Sequence, residues 1–248
     1  MSLQIQMIGT GSAFSKKFYN NNALVFCNGF TLLIDCGATA PRALYELNIP
    51  LTNIDGILIT HIHADHVGGM EEFAFRLHYA HNKHRMKLFV PSTLLYSLWN
   101  HSLRGGLENK AEGLLQLEDY FEVIILEEAV TKKLSPDLTV ELIPSTHIPE
   151  KPSYSLLLNE KVFYSSDAKF DEKLLTDLHA NGRCDYILHD CQFATPGIVH
   201  ACLDDLLTLP KSVQEKVMLM HYDDKVEQYI GMTGKMTFMK QYTLYDFP

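Results

Sequence analysis

Short apolar runs separated by glycine, proline and asparagine recur along the whole chain, the pattern of buried strands. Residues 4–8, 23–27, 31–34 and 56–59 predict four strands in the first quarter. Residues 87–90, 121–126, 139–142, 154–158, 162–165, 186–188 and 216–220 predict later ones. Helical periodicity at 41–47 and 69–79 falls between strands, which makes this a strand-rich α/β chain. No repeat of solenoid length, low-complexity tract or Pro/Ser-rich linker divides it, so residues 1–248 are expected to form one domain. The least regular stretch is 101–120, with Gly105, Gly106, Gly113 and many charges. Long connections of this kind serve as lids or interface segments, and a solvated helical insertion fits the same residues.

Composition narrows the function classes. With 46% apolar residues in 248, the chain can bury a substantial core. No apolar stretch is long enough to span a bilayer, and the opening Met1-Ser2-Leu3-Gln4 lacks a basic region followed by a hydrophobic signal core, so a cytoplasmic protein is expected. Cys27, Cys36, Cys184, Cys191 and Cys202 are scattered without a Cys-x-x-Cys pair, which predicts buried free thiols rather than a disulfide framework. A net charge of −9 argues against broad attraction to nucleic acid or anionic membrane, while leaving room for a small anionic ligand near bound cations.

The candidate chemistry lies in Thr60-His61-Ile62-His63-Ala64-Asp65-His66, directly after the apolar Ile57-Leu58-Ile59. Imidazole and carboxylate suit zinc, manganese or iron, and alternating ligands on a turn can divide between two ions. Three more ligand-type side chains follow predicted strands: His147, Asp167 and His221. His78, His81 and His84 are spaced by three, but no carboxylate or cysteine completes a site, and they read as a solvated helix end. Gly9-x-Gly11 lacks the full dinucleotide fingerprint, and no phosphate-binding Gly-x-x-x-x-Gly-Lys-Ser/Thr loop occurs.

In order and spacing these residues resemble the metallo-β-lactamase superfold, through the His-x-His-x-Asp-His run, Gly9-Thr10-Gly11-Ser12-Ala13 and Leu33-Ile34-Asp35-Cys36-Gly37. That resemblance implies an αββα sandwich. It also implies a two-metal site in which His61, His63 and His147 hold one divalent ion, Asp65, His66 and His221 hold the other, and Asp167 bridges them. Zinc is the expected metal, with manganese also accepted by this ligand set. His189-Asp190-Cys191-Gln192-Phe193 resembles the phosphodiesterase branch, which implies that His200 protonates the leaving oxygen. Asn20 to Leu24, His101 to Lys110 and Leu219 to Asp224 are similar to the anti-Pycsar proteins, enzymes that degrade cyclic mononucleotide defence signals.

The closer resemblance implies a phosphodiesterase that opens 3',5'-cyclic CMP, UMP, AMP and GMP, working as a homodimer with the 101–110 segment closing the pocket of its own or its partner subunit. A phage-encoded copy would act in the host cytoplasm. Asp65 is read as also orienting or deprotonating the attacking water. Asp190, counted with the catalytic groups, would support the metals and phosphate together with Asp35 and Ser153, while Tyr154 would pack beside the nucleoside. One alternative is tRNA 3' processing. It needs a long arm between the third His and the bridging Asp, where this chain has only residues 148–166. The others are a nucleotide sponge without catalysis, and a lactonase or thioesterase on the same metals.

Overall fold

The computed structural model describes residues 3–248; Met1 and Ser2, part of the opening read above for a missing signal, lie outside the described residues. In chain order the first strands are β1 (Leu3–Gly9), β2 (Asn22–Cys27), β3 (Phe30–Ile34), β4 (Gly56–Leu58), β5 (Lys87–Pro91), β6 (Glu122–Leu126) and β7 (Lys132–Lys133). They are followed by β8 (Thr139–Pro144), β9 (Tyr154–Leu158), β10 (Val162–Tyr164), β11 (Tyr186–Asp190), β12 (Val217–Met220), β13 (Thr237–Phe238) and β14 (Leu244–Phe247). One sheet runs β14-β1-β2-β3-β4-β5-β6 and the other β13-β12-β11-β10-β9-β8-β7. The helices are α1 (Ala40–Glu46), α2 (Ala64–Val67), α3 (Met70–Phe75), α4 (Leu95–Ser97), α5 (Arg104–Leu107), α6 (Glu172–Ala180), α7 (Leu203–Leu207) and α8 (Lys211–Gln214).

Side-chain alternation explains how two sheets and two helical layers stack. In β9 and β10, Tyr154, Leu156, Leu158, Val162 and Tyr164 enter the main core with the first sheet, while Leu157 and Phe163 point the other way. There they meet Leu175 and Leu178 of α6 and Leu203 and Leu206 of α7. On the far side of the first sheet, Ala43 and Leu44 of α1 and Met70 and Phe73 of α3 close the layer. Strands covered on both faces read as unbroken apolar runs, because period 2 places a hydrophobe on either side. The result is the expected αββα sandwich in one domain.

Direction places the functional edge. β3, β4 and β5 are parallel, as are β10, β11 and β12, and two antiparallel steps make β8 point the same way as β10. The chain therefore leaves β3, β4, β8, β10, β11 and β12 at one rim, where the Tyr154 amide donates to the Thr60 carbonyl at 3.2 Å to join the sheets. The carboxyl rim of such strands is where open sheets carry ligands.

The 101–120 segment is helical rather than irregular over its first part. Residues 98–103 run into α5, and Leu103, Leu107, Leu114, Leu117 and Tyr120 are buried. Its flexible-looking glycines differ: Gly105 is open, whereas Gly106 sits against the Glu71 carboxylate of α3. His78, expected at a solvated helix end, is buried beside Tyr120, and the helical run stops at Ala80, so His81 and His84 share no helix face with it. All five cysteines are free and buried, as expected. Among the described residues no helix is long and apolar enough to cross a membrane.

Candidate metal centre

Each ligand-type side chain arrives from a strand end. After β4 the chain passes through Thr60 and His61, turns at His63 and enters α2, which carries Asp65 and His66. The His63 carbonyl accepts from the amides of His66 and Val67, both at 2.9 Å, and the His66 carbonyl accepts from Cys36 at 2.7 Å. His147, Asp167 and His221 follow β8, β10 and β12. Asp35, Ser166 and His221 take left-handed backbone conformations, with φ of 59°, 51° and 56°. Such strain in non-glycine residues persists where the surroundings hold a side chain in place.

Two donor groups share Asp167, one completed by His61, His63 and His147 and the other by Asp65, His66 and His221, and Asp190, His200 and His221 form a third cluster beside them. His63 Nδ1 lies 3.1 Å from His61 Nε2 and 3.2 Å from His147 Nε2, with Asp167 Oδ2 at 3.7 and 3.8 Å from those two Nε2 atoms. In the second group His66 Nε2 lies 3.3 Å from Asp65 Oδ2 and 3.2 Å from Asp167 Oδ1, and His221 Nε2 lies 3.3 and 3.4 Å from the same oxygens. A tetrahedron with metal bonds of about 2.0–2.1 Å has edges of roughly 3.3–3.4 Å. The separations fit a divalent ion in each group, with one carboxylate oxygen of Asp167 belonging to each.

The tautomers fit as well. His147 Nδ1 donates to the Val199 carbonyl at 2.7 Å, and His66 Nδ1 to Asp35 Oδ2 at 2.7 Å, so both Nε2 atoms turn lone pairs inward. His61 Nδ1 lies 3.1 Å from the Thr60 hydroxyl, which donates in turn to Asp35 Oδ2 at 2.7 Å. His66 Nε2 and Asp167 Oδ1 are buried with no hydrogen-bond partner. Buried polar atoms left this way are expensive unless an ion completes them.

Electrostatics points the same way. Burial disfavours charge on His66, yet Asp167, Asp65 and Asp35 outweigh it and push its pKa well above the usual imidazole value. Burial likewise opposes ionisation of Asp167, but His221 and His66 hold it well below the ordinary carboxylate range. His61 is pushed down by burial and by the neighbouring imidazole of His66. A proton held among carboxylates is what a metal cation would displace.

His200 stands beside this cluster. Its Nδ1 is 2.9 Å from Asp190 Oδ2 and 3.9 Å from Asp167 Oδ2, and its ring stacks on His221 at 4.9 Å. It lies in the loop before α7 rather than on a helix surface, held where the Ala201 amide donates to the Ala168 carbonyl at 2.9 Å. Asp190 is buried, and its amide donates to the Ser165 hydroxyl at 2.9 Å. Asp35 reaches no donor group itself; it accepts from His66, the Thr60 amide at 2.8 Å and the Thr60 hydroxyl. Ser153 is buried and donates to the Asp167 carbonyl at 3.3 Å, supporting that ligand's backbone. Tyr154 borders a cleft beside His147 but is 1% exposed, its hydroxyl held by Thr93 and Glu128, which leaves its ring little surface to offer a nucleoside.

Sequence reasoning assigned no role to Thr60, Ser166 or the Val199 carbonyl, which fix His61 and His147. Thr60 had a signal, its place directly before the first histidine. Val199 had none, because a backbone carbonyl is invisible in sequence. A cleft of about 490 Å³ borders His200 and His221 and another of about 470 Å³ borders His147, sizes suited to a small ligand. Neither is lined by residues 101–110 of the same chain.

The model of the family described as anti-Pycsar protein Apyc1 matches residues 3–245, nearly the full sandwich together with every strand end just described. The chain belongs to this family. An anti-Pycsar protein Apyc1 of Paenibacillus xerothermodurans is 69% identical over 247 residues, covering 100% of this chain and 98% of that protein. One from Bacillus phage BSP38 is 47% identical, covering 96% of each. Among solved structures, the metallo-beta-lactamase fold protein YhfI from Bacillus subtilis superposes with a TM-score of 0.77 at 15% identity, over 99% of this chain and 100% of that one. This chain thus has the metallo-β-lactamase fold.

Proposed function

We propose that this protein is a two-metal phosphodiesterase that opens 3',5'-cyclic nucleoside monophosphates to linear nucleotides and so removes a cyclic-nucleotide antiviral signal. The observation that carries the reading is Asp167 between two complete donor groups with the His200–Asp190 pair alongside. Family membership supports the cyclic nucleotide as substrate. His61, His63, His147 and Asp167 would hold one ion, and Asp65, His66, His221 and Asp167 the other, with zinc the metal expected. When bound, the ions supply an activated water and neutralise phosphoryl charge.

The protein's own residues then have distinct tasks. Asp65, fixed between His66 and His221, orients the water and accepts its hydrogen bond. The departing ring oxygen is a poor leaving group until protonated. His200 is placed for that step: Asp190 occupies Nδ1, leaving Nε2 to carry the proton. Asp190 sets the orientation of the imidazole and favours its charged form. Asp35 holds the ring and tautomer of His66 and, through the Thr60 hydroxyl, steadies His61.

A tRNA 3'-processing role is disfavoured by the short 148–166 connection and by the net charge of −9, which gives a long polyanion little to grip. The phage relatives favour action in a host cytoplasm. Purified holoenzyme incubated with cyclic CMP should yield the linear nucleotide by chromatography, and Asp167→Ala should lose metal and nearly all turnover. Intact cyclic CMP recovered after denaturing the wild-type protein would make it a sponge instead.

A further inference from the structure

The loop between β1 and β2 carries an aromatic residue that the fold does not use. Phe14 is 87% exposed, the highest exposure of any large hydrophobic side chain among the described residues. The loop around it is nonetheless firmly tied. The Gly11 amide donates to the Tyr19 carbonyl at 2.8 Å and the Ser12 amide to the Tyr222 carbonyl at 3.0 Å. The Asp224 carboxylate accepts from the Ser15 hydroxyl and from the amides of Lys16 and Lys17, the last at 2.9 Å. Both anchors, Tyr222 and Asp224, follow His221, so the loop is fastened to the chain that delivers a metal-centre histidine.

Phe14, His200 and His221 line one cleft of about 490 Å³, whose surface also includes Ala13, Ala194 and Val199. A phosphate drawn to the His221 end of this cleft leaves its nucleoside to extend along the remainder. An aromatic ring on a preordered loop offers it a flat apolar face. Stacking of this kind accepts any base, because every base has a π-face.

We propose that Phe14 is the nucleobase platform of this site, stacking on the base of a cyclic mononucleotide whose phosphate lies at the donor groups. The inference rests on the phosphodiesterase reading above and gives it a substrate-binding residue outside the metal cluster. A platform of this kind would favour tolerance of different bases, because its contribution to affinity comes from the face of the base.

The test compares wild-type and Phe14→Ala holoenzyme on cyclic AMP, cyclic CMP and methyl β-ribofuranoside 3',5'-cyclic phosphate, which keeps the ring phosphate and lacks a base. Phe14→Ala should raise KM about tenfold for the nucleotides, more for cyclic AMP than for cyclic CMP, with kcat within about threefold of wild type. KM for the base-free ring should not change, and Phe14→Trp should restore nucleotide KM. An unchanged nucleotide KM, or an equal rise for the base-free ring, would overturn the platform while leaving the phosphodiesterase reading intact. Wild-type holoenzyme that opens none of the three would overturn both.

Discussion

At the scale of single residues, the site is built from side chains that hold one another. Asp35 bonds His66 and Thr60, Thr60 bonds His61, and Val199 bonds His147, so these three imidazoles each present a chosen nitrogen. Asp35→Asn keeps the size and tolerates the left-handed backbone but loses the charge behind His66. Metal affinity should fall about 10- to 100-fold, as read by chelator competition. For His200, burial opposes protonation, but the hydrogen bond and charge of Asp190, with Asp167 and Asp65 beyond it, raise the pKa above the ordinary 6.5. The imidazoles of His147 and His221 also face it. As a general acid it acts when protonated, so kcat/KM should fall as pH rises through that raised pKa. Asp190→Asn removes the anionic partner, and the alkaline limb should move to lower pH. His200→Ala should lose roughly 10²- to 10⁴-fold in rate with metal content intact. A wild-type rate in His200→Ala would remove it from the mechanism.

At the scale of elements, the rim depends on close backbone contacts between strand ends. A Cβ added at Gly37 would fall 1.9 Å from the Asp65 carbonyl oxygen, which is backbone and cannot swing aside. Gly37→Ala should destabilise by about 2–3 kcal/mol, lowering Tm by about 5–10 °C, and reduce bound metal together with it. Calorimetry with metal analysis checks this, and an unchanged Tm would mean that the two strand ends are not clamped. The same elements show what the sequence could convey. Strands buried on both faces, such as β9 and β10, announced themselves as apolar runs, and the histidines and aspartates at their ends were legible because ligand-type side chains are scarce in such places. β13 and β14 have short or partly exposed strands whose pattern carries little signal. The helical first part of the 101–120 segment was obscured by Gly105 and Gly106, although Leu103 and Leu107 dock it on the core. Tyr154 looked available to a nucleoside because sequence does not tell which face of β9 is covered.

At the scale of the whole molecule, the acidic surface and the small clefts favour a compact anionic substrate over a nucleic acid. We expect a homodimer in which the exposed face of residues 101–110 closes a pocket. Because Leu103 and Leu107 are buried, deleting the segment would disturb the core; the informative variant is His101→Ala with Arg104→Ala, both exposed. It should raise KM for cyclic CMP with little change in Tm, and sedimentation should show wild-type protein as a dimer. A monomer with full activity at every concentration would exclude closure by a partner. The most direct test of the central claim is product formation from cyclic CMP, cyclic UMP, cyclic AMP, a cyclic dinucleotide and a precursor tRNA under identical zinc or manganese conditions. Rapid opening of the cyclic mononucleotides, slow attack on the dinucleotide and none on the tRNA are expected; efficient tRNA cleavage with the cyclic mononucleotides untouched would make the protein a tRNA-processing nuclease instead.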